Sequence, residues 1–270
     1  MKTLIEIIKE HVEFRKQIFK LAMADIIKTY KGAALGWSWA LIKPAVQILV
    51  YWFVFDVAMA SASTTKGGFG VTYPYYFWRI VGLVPWFYIS DMLTRGTNAI
   101  RIYSYLVTRM KFPVSTIPTY VSISHLIINI GITIIMAIMY VCMGFSIDVY
   151  FLQLPLYIFL AYMFFTVMTL LFSMLCAMSK DFGNLIKSFV IALFWFSGVI
   201  WKTNNHLINA MLRMNPIYYI CHGFRNVFIY KVWIWQEPKR FMYFMIIFFV
   251  MSIMALRVYK KLRKEIPDVL

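Results

Sequence analysis

Charged residues are scarce in this sequence. Only 14% of its 270 residues are charged and 62% are hydrophobic, and the mean hydropathy is +0.72. A soluble domain carries charge on about a quarter of its residues. Apolar stretches of about 20 residues recur along most of the chain, and no polar block is long enough for a separate soluble domain. The composition therefore predicts one integral membrane domain.

Cysteine and histidine are also sparse, and neither occurs at the spacing of a known site. The three cysteines and four histidines are scattered along the chain: Cys142, Cys176, Cys221, His11, His125, His206 and His222. No pair has the spacing of metal ligands, and no disulfide framework is indicated. The sequence predicts no metal site, and these side chains are interpreted as structural or interfacial.

Motifs that mark enzymes are missing as well. There is no GxxxxGK followed by Ser or Thr, the loop that cradles nucleotide phosphates, so the chain is not expected to hydrolyse ATP. The carboxylates beyond the N-terminal segment form no pair or DxD arrangement, which disfavours an integral membrane enzyme. A secondary transporter would usually show internal repeats and several ionisable residues within its spans. Both classes remain as disfavoured alternatives.

Six apolar segments have the length of a membrane-crossing helix. They lie at about 36–60, 73–98, 115–144, 151–178, 183–201 and 238–259. Residues 4–29 are too charged to cross, and their apolar spacing predicts an amphipathic helix in the membrane interface. Residues 202–237 predict re-entrant or interfacial helices broken at Asn215-Pro216. The predicted fold is an all-α integral membrane protein, with an interface helix at 1–31 and a six-helix domain at 32–270.

Lysine and arginine cluster on one predicted side of the membrane. With six spans, both termini share that side, and it holds 18 of the 27 basic residues. Cytoplasmic flanks keep such an excess, so both termini are predicted to be cytoplasmic. The first 31 residues lack the apolar core of a signal peptide and are expected to be retained. Because the basic residues flank spans, the net charge of +16 is interpreted as lipid anchoring, with no nucleic acid as partner.

Lys43 stands inside an apolar span, seven residues past Gly36. That offset is about 10 Å along a helix, so its stem is long enough to reach back to the lipid headgroups. Alternatively, Lys43 faces a protein-lined path and meets an anionic group, since charges within a membrane seldom face lipid. The sequence leaves both open. Asp56 is too far along the same helix to neutralise Lys43 and is predicted near the outer interface.

Four segments of the chain carry a family resemblance. They are YKGAALGWSWALIKPAVQILVYWFVF (30–55), IVGLVPWFYISDMLTRGTNAI (80–100), YLVTRMKFPVSTIPTYV (105–121) and MNPIYYICHGFRNVFIY (214–230). In this order they resemble motifs of the permease subunits of ABC exporters for bacterial surface polysaccharides, over essentially the whole chain. Within them, VYWFVF, KFPVSTIPTY and NPIYYI are most similar to wall teichoic acid exporter permeases. Lys43 and Asp56 depart from the pattern, where Asn and Gly are usual.

The resemblance implies a homodimer of permeases bound to two ATPase subunits in a bacterial cytoplasmic membrane. It implies that ATP and magnesium bind to the ATPase and that this chain binds no cofactor. The cargo would be a lipid-linked polymer for cell wall biogenesis, teichoic acid in the narrower resemblance, moving through a tunnel between the two permeases. The alternatives are a related exporter for O-antigen or capsular polysaccharide and one for a small molecule.

A contact with the ATPase requires a short helix between two spans. The helix must be apolar enough to dock into a groove of the ATPase and basic enough to remain at the aqueous surface of the membrane. Residues 100–113, IRIYSYLVTRMKFP, fit this description, and Pro113 would end the helix. Helix-in-groove docking would use side chains that fall close to one helical face. These are Ile102, Tyr105, Leu106, Arg109 and Met110. The alternative is a simple amphipathic connector.

A sliding polymer requires weak, replaceable contacts, which aromatic rings with polar tips provide. The predicted path aromatics are Trp39, Tyr51, Trp52, Phe55, Trp195, Phe196 and Trp201. For a phosphate-containing polymer, basic groups at the tunnel ends would add attraction: Lys31 and Lys43 inside, and Lys202, Arg213 and Arg225 outside. The alternatives are packing or lipid-facing rings, and, for Arg213 and Arg225, partners for helix C-termini or headgroups.

Overall fold

The computed structural model describes residues 2–58, 64–110 and 112–270. Its α-helices, in chain order, are α1 (Lys2–Glu13), α2 (Arg15–Tyr30), α3 (Trp39–Trp52), α4 (Tyr75–Asp91), α5 (Ala99–Ile102), α6 (Ser104–Thr108), α7 (Thr116–Cys142), α8 (Leu154–Met178), α9 (Lys180–Phe196), α10 (His206–Met214), α11 (Pro216–Arg225), α12 (Pro238–Leu262) and α13 (Ile266–Val269). Two strands, β1 (Thr64–Lys66) and β2 (Thr72–Pro74), pair antiparallel. Helical turns of π type extend α3 to Ala58 and α4 to Gly96.

The β1–β2 hairpin corrects the prediction of a purely helical fold. Thr65 lies opposite Tyr73, and both are buried. The turn is rich in glycine: a Cβ at Gly67 would overlap the Tyr73 ring, and Gly70 has a φ of +74° that side chains rarely adopt. The helical spacing of apolar residues ends before this turn, where the close approach at Gly67 and the positive φ at Gly70 require glycine. The chain therefore closes this loop with a short sheet.

The predicted interface helix forms two helices that break at Phe14, whose φ of −93° and ψ of 11° leave the helical region. The Phe14 ring packs edge-on against Phe112 at 5.2 Å. In α2, Ile18, Ala22 and Asp25 are buried, which is one face of a helix. The other faces expose both apolar and basic side chains, as an amphipathic helix at a membrane surface would.

Four helical segments are long and apolar enough to cross a membrane. Among the described residues these are Gly36–Ala58, Thr116–Cys142, Val149–Met178 and Pro238–Leu262. They correspond to the first, third, fourth and sixth predicted spans, and residues 59–60 of the first lie outside the described part. The second and fifth predicted spans contain α4 and α9, which have 17 residues each. The six-span count therefore stays a prediction.

Both termini lie at one end of the helix bundle, here called the terminal end. Glu6 of α1 is 2.6 Å from Arg263, just past α12, and Ser115, before α7, donates to Glu10. At the opposite end, Tyr73 contacts Tyr140 near the end of α7. The six long helices α3, α4, α7, α8, α9 and α12 accordingly alternate in direction.

The core fills the space between α4, α7, α8 and α11, whereas α3 lies at its edge. Ala40 is the only buried residue among those of α3. Exposed large apolar side chains cover much of α3 and α9, among them Val46, Leu49, Trp52, Phe189, Ile191, Trp195 and Phe196. Exposed apolar faces of this extent mark surfaces that contact lipid or another protein.

Candidate functional site

A polar cavity lies between α2, α3, α4 and α7, toward the terminal end. Its volume is about 270 Å³. Polar side chains from four elements line it: Thr29, Tyr30, Lys43, Gln47, Ser90, Asp91, Arg95, His125 and Asn129. Charged residues are rare within membrane segments and usually face a protein-lined space. The cavity, hereafter the polar cavity, is therefore a candidate functional site.

A hydrogen bond between two ionisable side chains forms one wall of the polar cavity. The His125 Nδ1 of α7 lies 2.9 Å from the Asp91 carboxylate of α4. His125 is 7% exposed, and its Nε2 has no hydrogen-bond partner within the described part of the chain. Asn129, one turn further along α7, donates to the carbonyl of Val84. The helical spacing of these residues could be read from the sequence, but their meeting with Asp91 could not.

Lys43 is exposed and lines the polar cavity. It shares this space with Asp91, 48 positions away in sequence. This placement agrees with one half of the second sequence interpretation, a protein-lined space, but among the described residues Lys43 pairs with no anionic group. Its role in export stays a prediction. Lys31, the other inner basic residue, is exposed just after α2.

A polar and aromatic stripe runs from the polar cavity along α3. Gln47 donates to the Tyr51 hydroxyl at 3.3 Å, and the Tyr51 ring stacks on Phe194 of α9 at 5.5 Å. Trp86 of α4 also packs against Phe194, at 5.2 Å. The predicted path residue Tyr51 thus lies in a contact between the first and fifth predicted spans.

The other predicted path aromatics divide into two groups. Phe55 is half-buried over the Arg79 guanidinium, and Trp201 donates its indole N–H to the Trp195 carbonyl at 2.7 Å. The rest project outward: Trp39, Trp52, Trp195 and Phe196 are exposed. Their exposure fits a path or a lipid surface equally, so the path role of this group stays a prediction.

Asp56 has a partner that the sequence did not reveal. Its carboxylate is 2.7 Å from Arg79, and both side chains are largely buried. Arg79 lies between the rings of Phe55 and Tyr75, 4.8 and 4.3 Å from their centroids. Pairing and ring stacking compensate the cost of removing these charges from water. The ion pair attaches the far end of α3 to α4.

Arg225 corrects the prediction of an exposed charge at the tunnel mouth, because it is 0% exposed. Its guanidinium donates to the carbonyls of Gly198 and Val199, just beyond α9, and to that of Trp78. It also stacks on the Trp78 ring, 3.5 Å from the centroid. Five fixed donors suit Arg to joining several carbonyls. Arg225 therefore fulfils its alternative role, as a partner for the end of a helix.

Arg213 is exposed and lines a second cavity of about 600 Å³ at the opposite end. Nearby, Glu237 contacts Arg240 at 2.5 Å and His222 at 3.4 Å. Burial raises the pKa of the Glu237 carboxyl, but its hydrogen bonds to His222 and Asn226 and the charge of Arg240 outweigh this and lower the pKa to about 2. Burial lowers the pKa of His222. Lys202 turns away from this cavity, toward Thr65 at 3.2 Å.

The predicted coupling segment is not one helix. Tyr103, with φ −110° and ψ 29°, separates α5 from α6, and Lys111 lies outside the described residues. Ile102, Tyr105, Arg109 and Met110 are exposed, but Leu106 is only 2% exposed and packs in the core. Leu106 faces the core from the side of α6 opposite the exposed positions, so its placement on the docking face was wrong.

Asp25 of α2 holds this segment in place. The buried Asp25 carboxylate accepts hydrogen bonds from the Tyr103 hydroxyl at the α5–α6 break and from Ser124 of α7, the latter at 2.7 Å. Arg95 lies 3.9 Å away. One carboxylate thus joins the N-terminal helix, the segment and a long helix.

Comparisons with known proteins identify the family of this chain. The sequence model of the ABC-2 type transporter family matches residues 16–229. The chain is 20% identical to the O-antigen export system permease protein RfbA of Myxococcus xanthus, over 83% of this chain and 85% of that protein. It is 19% identical to the protein of the same name from Klebsiella pneumoniae, over 91% of this chain and 92% of that protein. This chain therefore belongs to the ABC-2 type transporter family, as a membrane transport subunit.

Proposed function

We propose that this chain is the permease of an ABC exporter for a lipid-linked cell-surface polysaccharide. The names of its relatives favour an O-antigen cargo over teichoic acid. Three short elements of the sequence are instead most similar to wall teichoic acid exporter permeases. No relative's name mentions a teichoic acid. The cargo class proposed is therefore the wider one, with O-antigen-type polysaccharide first and wall teichoic acid as the finer alternative.

The proposed assembly has two permeases and two ATPase subunits, which carry the ATP and magnesium. Exposed apolar faces on α3 and α9 support a lipid-embedded contact with a second copy. The basic residues of the chain gather at the terminal end, which supports a cytoplasmic placement of both termini in a bacterial membrane. In this arrangement, the six long helices all cross the membrane.

One observation carries the proposal. The segment that contains α5 and α6 exposes large apolar side chains, while hydrogen bonds to the buried Asp25 carboxylate hold the segment in place. Ile102, Tyr105 and Met110 are exposed large apolar side chains at the terminal end. Exposed anchors on a short helical segment suit docking into a groove on another subunit. Because Asp25 ties the same segment to α7, movement of the docked subunit is transmitted to the long helices.

Replacing Ile102 and Met110 with Asp is expected to lower recovery of the co-expressed ATPase with the tagged permease at least about tenfold. Loss of buried anchors at an interface typically costs about 2 kcal/mol or more each. Leu106 is unsuitable for this test, because a buried Asp would unfold the segment. The measurement is quantitative co-purification, with stoichiometry read from stained gels.

Ile147→Asp is the matched control, because Ile147 is equally exposed but lies beyond α7, at the opposite end. It is expected to leave ATPase recovery unchanged. Normal recovery with the Ile102→Asp/Met110→Asp variant would refute the proposed coupling face.

A further inference from the structure

We propose that the polar cavity binds the zwitterionic headgroup of an aminophospholipid, with the phosphate against Lys43 and the ammonium against Asp91. This inference concerns a structural lipid and does not depend on the cargo or the ATPase. Its ligand is defined by the charges and the hydrogen-bonding groups that the cavity presents.

The first support is the unpartnered imidazole nitrogen. Buried polar atoms almost always have a hydrogen-bond partner, yet the buried Nε2 of His125 has none among the described residues. The ring donates its Nδ1–H to Asp91, so Nε2 of the neutral ring is an acceptor. An ammonium group placed against Asp91 would donate a hydrogen bond to Nε2 as well.

The second support is the pattern of charge. Within the described part of the chain, Lys43 has no ion-pair partner, and the Asp91 carboxylate has His125 as its only hydrogen-bond partner. The side chain of Asp91 is 47% exposed. Arg95 is already engaged by Thr29 at 3.2 Å and Asp25 at 3.9 Å. The cavity therefore offers one cation and one carboxylate that do not neutralise each other.

A ligand that carries both charges satisfies this pattern best. A purely anionic headgroup would be attracted by Lys43 but repelled by Asp91. A phosphoethanolamine group supplies an anion for Lys43 and an N–H donor for Asp91. A phosphocholine group has the same charges but lacks N–H groups, so it cannot donate to the carboxylate.

The position of the cavity suits a lipid. Thr29 and Tyr30, at the end of the amphipathic α2, line it, and an amphipathic helix on a membrane lies at the level of the headgroups. Beyond the rim, Val46, Leu49 and Val50 are exposed on α3, where acyl chains would extend toward the bilayer centre. The volume of about 270 Å³ is close to the lower limit of about 300 Å³ for small-molecule pockets, which is enough for a headgroup but not for a sugar polymer.

The test is native mass spectrometry of the purified full chain released from nanodiscs of phosphatidylethanolamine, phosphatidylcholine and phosphatidylglycerol in equal amounts. The wild type is expected to retain phosphatidylethanolamine in preference to the other two. Lys43→Gln should lower retention of all phospholipid about tenfold, the effect of one charge-assisted hydrogen bond. Asp91→Asn should abolish the preference for the ethanolamine lipid and raise retention of phosphatidylglycerol.

Lys66→Gln and Asp181→Asn are matched controls, because both residues are exposed and lie outside the cavity lining. They are expected to behave as the wild type. Equal retention of the three lipids by the wild type would overturn the proposal, and so would unchanged retention in Lys43→Gln. Neither readout involves ATPase binding or polymer export, so a failure here leaves the proposed function separately testable.

Discussion

Replacing Arg225 with alanine is expected to lower the stability of the folded chain by about 3 to 5 kcal/mol. The substitution leaves the carbonyls of Gly198, Val199 and Trp78 without their donor, and each buried unpaired acceptor costs about 1–3 kcal/mol. It also removes the stacking on Trp78, worth up to about 2 kcal/mol when buried. Relief from burying a charge offsets part of this loss. The end of α9 would then separate from α4 and α11.

The measurement is the thermal unfolding midpoint in detergent, with the fraction of monodisperse protein as a second readout. Arg213→Ala is the matched control on the neighbouring α10, and because Arg213 is exposed its effect should stay within about 0.5 kcal/mol. Arg225→Lys keeps the charge but not the planar guanidinium group, so its unfolding midpoint should lie between those of Arg225→Ala and Arg213→Ala. Equal midpoints for Arg225→Ala and Arg213→Ala would contradict the role assigned to Arg225.

A second variant tests the same geometry from the other side. A Cβ at Gly82 of α4 would collide with the Arg225 guanidinium and approach the Val199 carbonyl to 2.6 Å. Because the backbone of α4 lies against this buried group, Gly82→Ala should also destabilise the chain.

Replacing Asp25 with alanine is expected to reduce polysaccharide export at least about tenfold while the ATPase stays bound. The change removes two hydrogen bonds to a buried carboxylate, each worth about 1.5–3 kcal/mol, from the junction between α5 and α6. Ile102 and Met110 would still dock, but their movement would no longer reach α7. The measurement is the amount of polymer at the cell surface, together with co-purification of the ATPase.

Glu13→Ala is the control for Asp25, because Glu13 is an exposed carboxylate on α1. It should leave export unchanged. Asp25→Asn keeps one acceptor oxygen and should retain part of the activity. If Asp25→Ala cells export polymer at the normal rate, the carboxylate does not couple the segment to the long helices.

The long helices could be predicted from the sequence because each is encoded locally. Apolar runs, interrupted by glycine, proline and basic clusters, indicated all six, and the amphipathic spacing at 4–29 indicated the helix pair before them. The break at Tyr103 was missed because α5 and α6 together have the spacing of one helix. Leu106 was assigned to the exposed face because it lies four residues from both Ile102 and Met110, and the sequence does not show which flank of so short a helix packs against the core.

The polar contacts between helices could not be predicted in the same way. Asp91 and His125 are 34 positions apart, and Asp56 and Arg79 are 23 apart. In the sequence, each of these residues taken alone is interpreted as a charge at the membrane interface. Only the packing of α3, α4 and α7 brings the partners together. Arg225 was misassigned for the same reason: its segment is polar in sequence, but its three carbonyl partners come from distant turns.

The central claim is that this chain is a membrane conduit worked by a separate ATPase through the α5–α6 segment. The most direct measurement uses proteoliposomes that hold the purified chain, with or without its ATPase subunit, and lipid-linked polysaccharide. Nucleotide hydrolysis and polymer transfer are followed together. We expect neither activity with the chain alone, and both with the ATPase present. Hydrolysis or transfer by the chain alone would contradict the account.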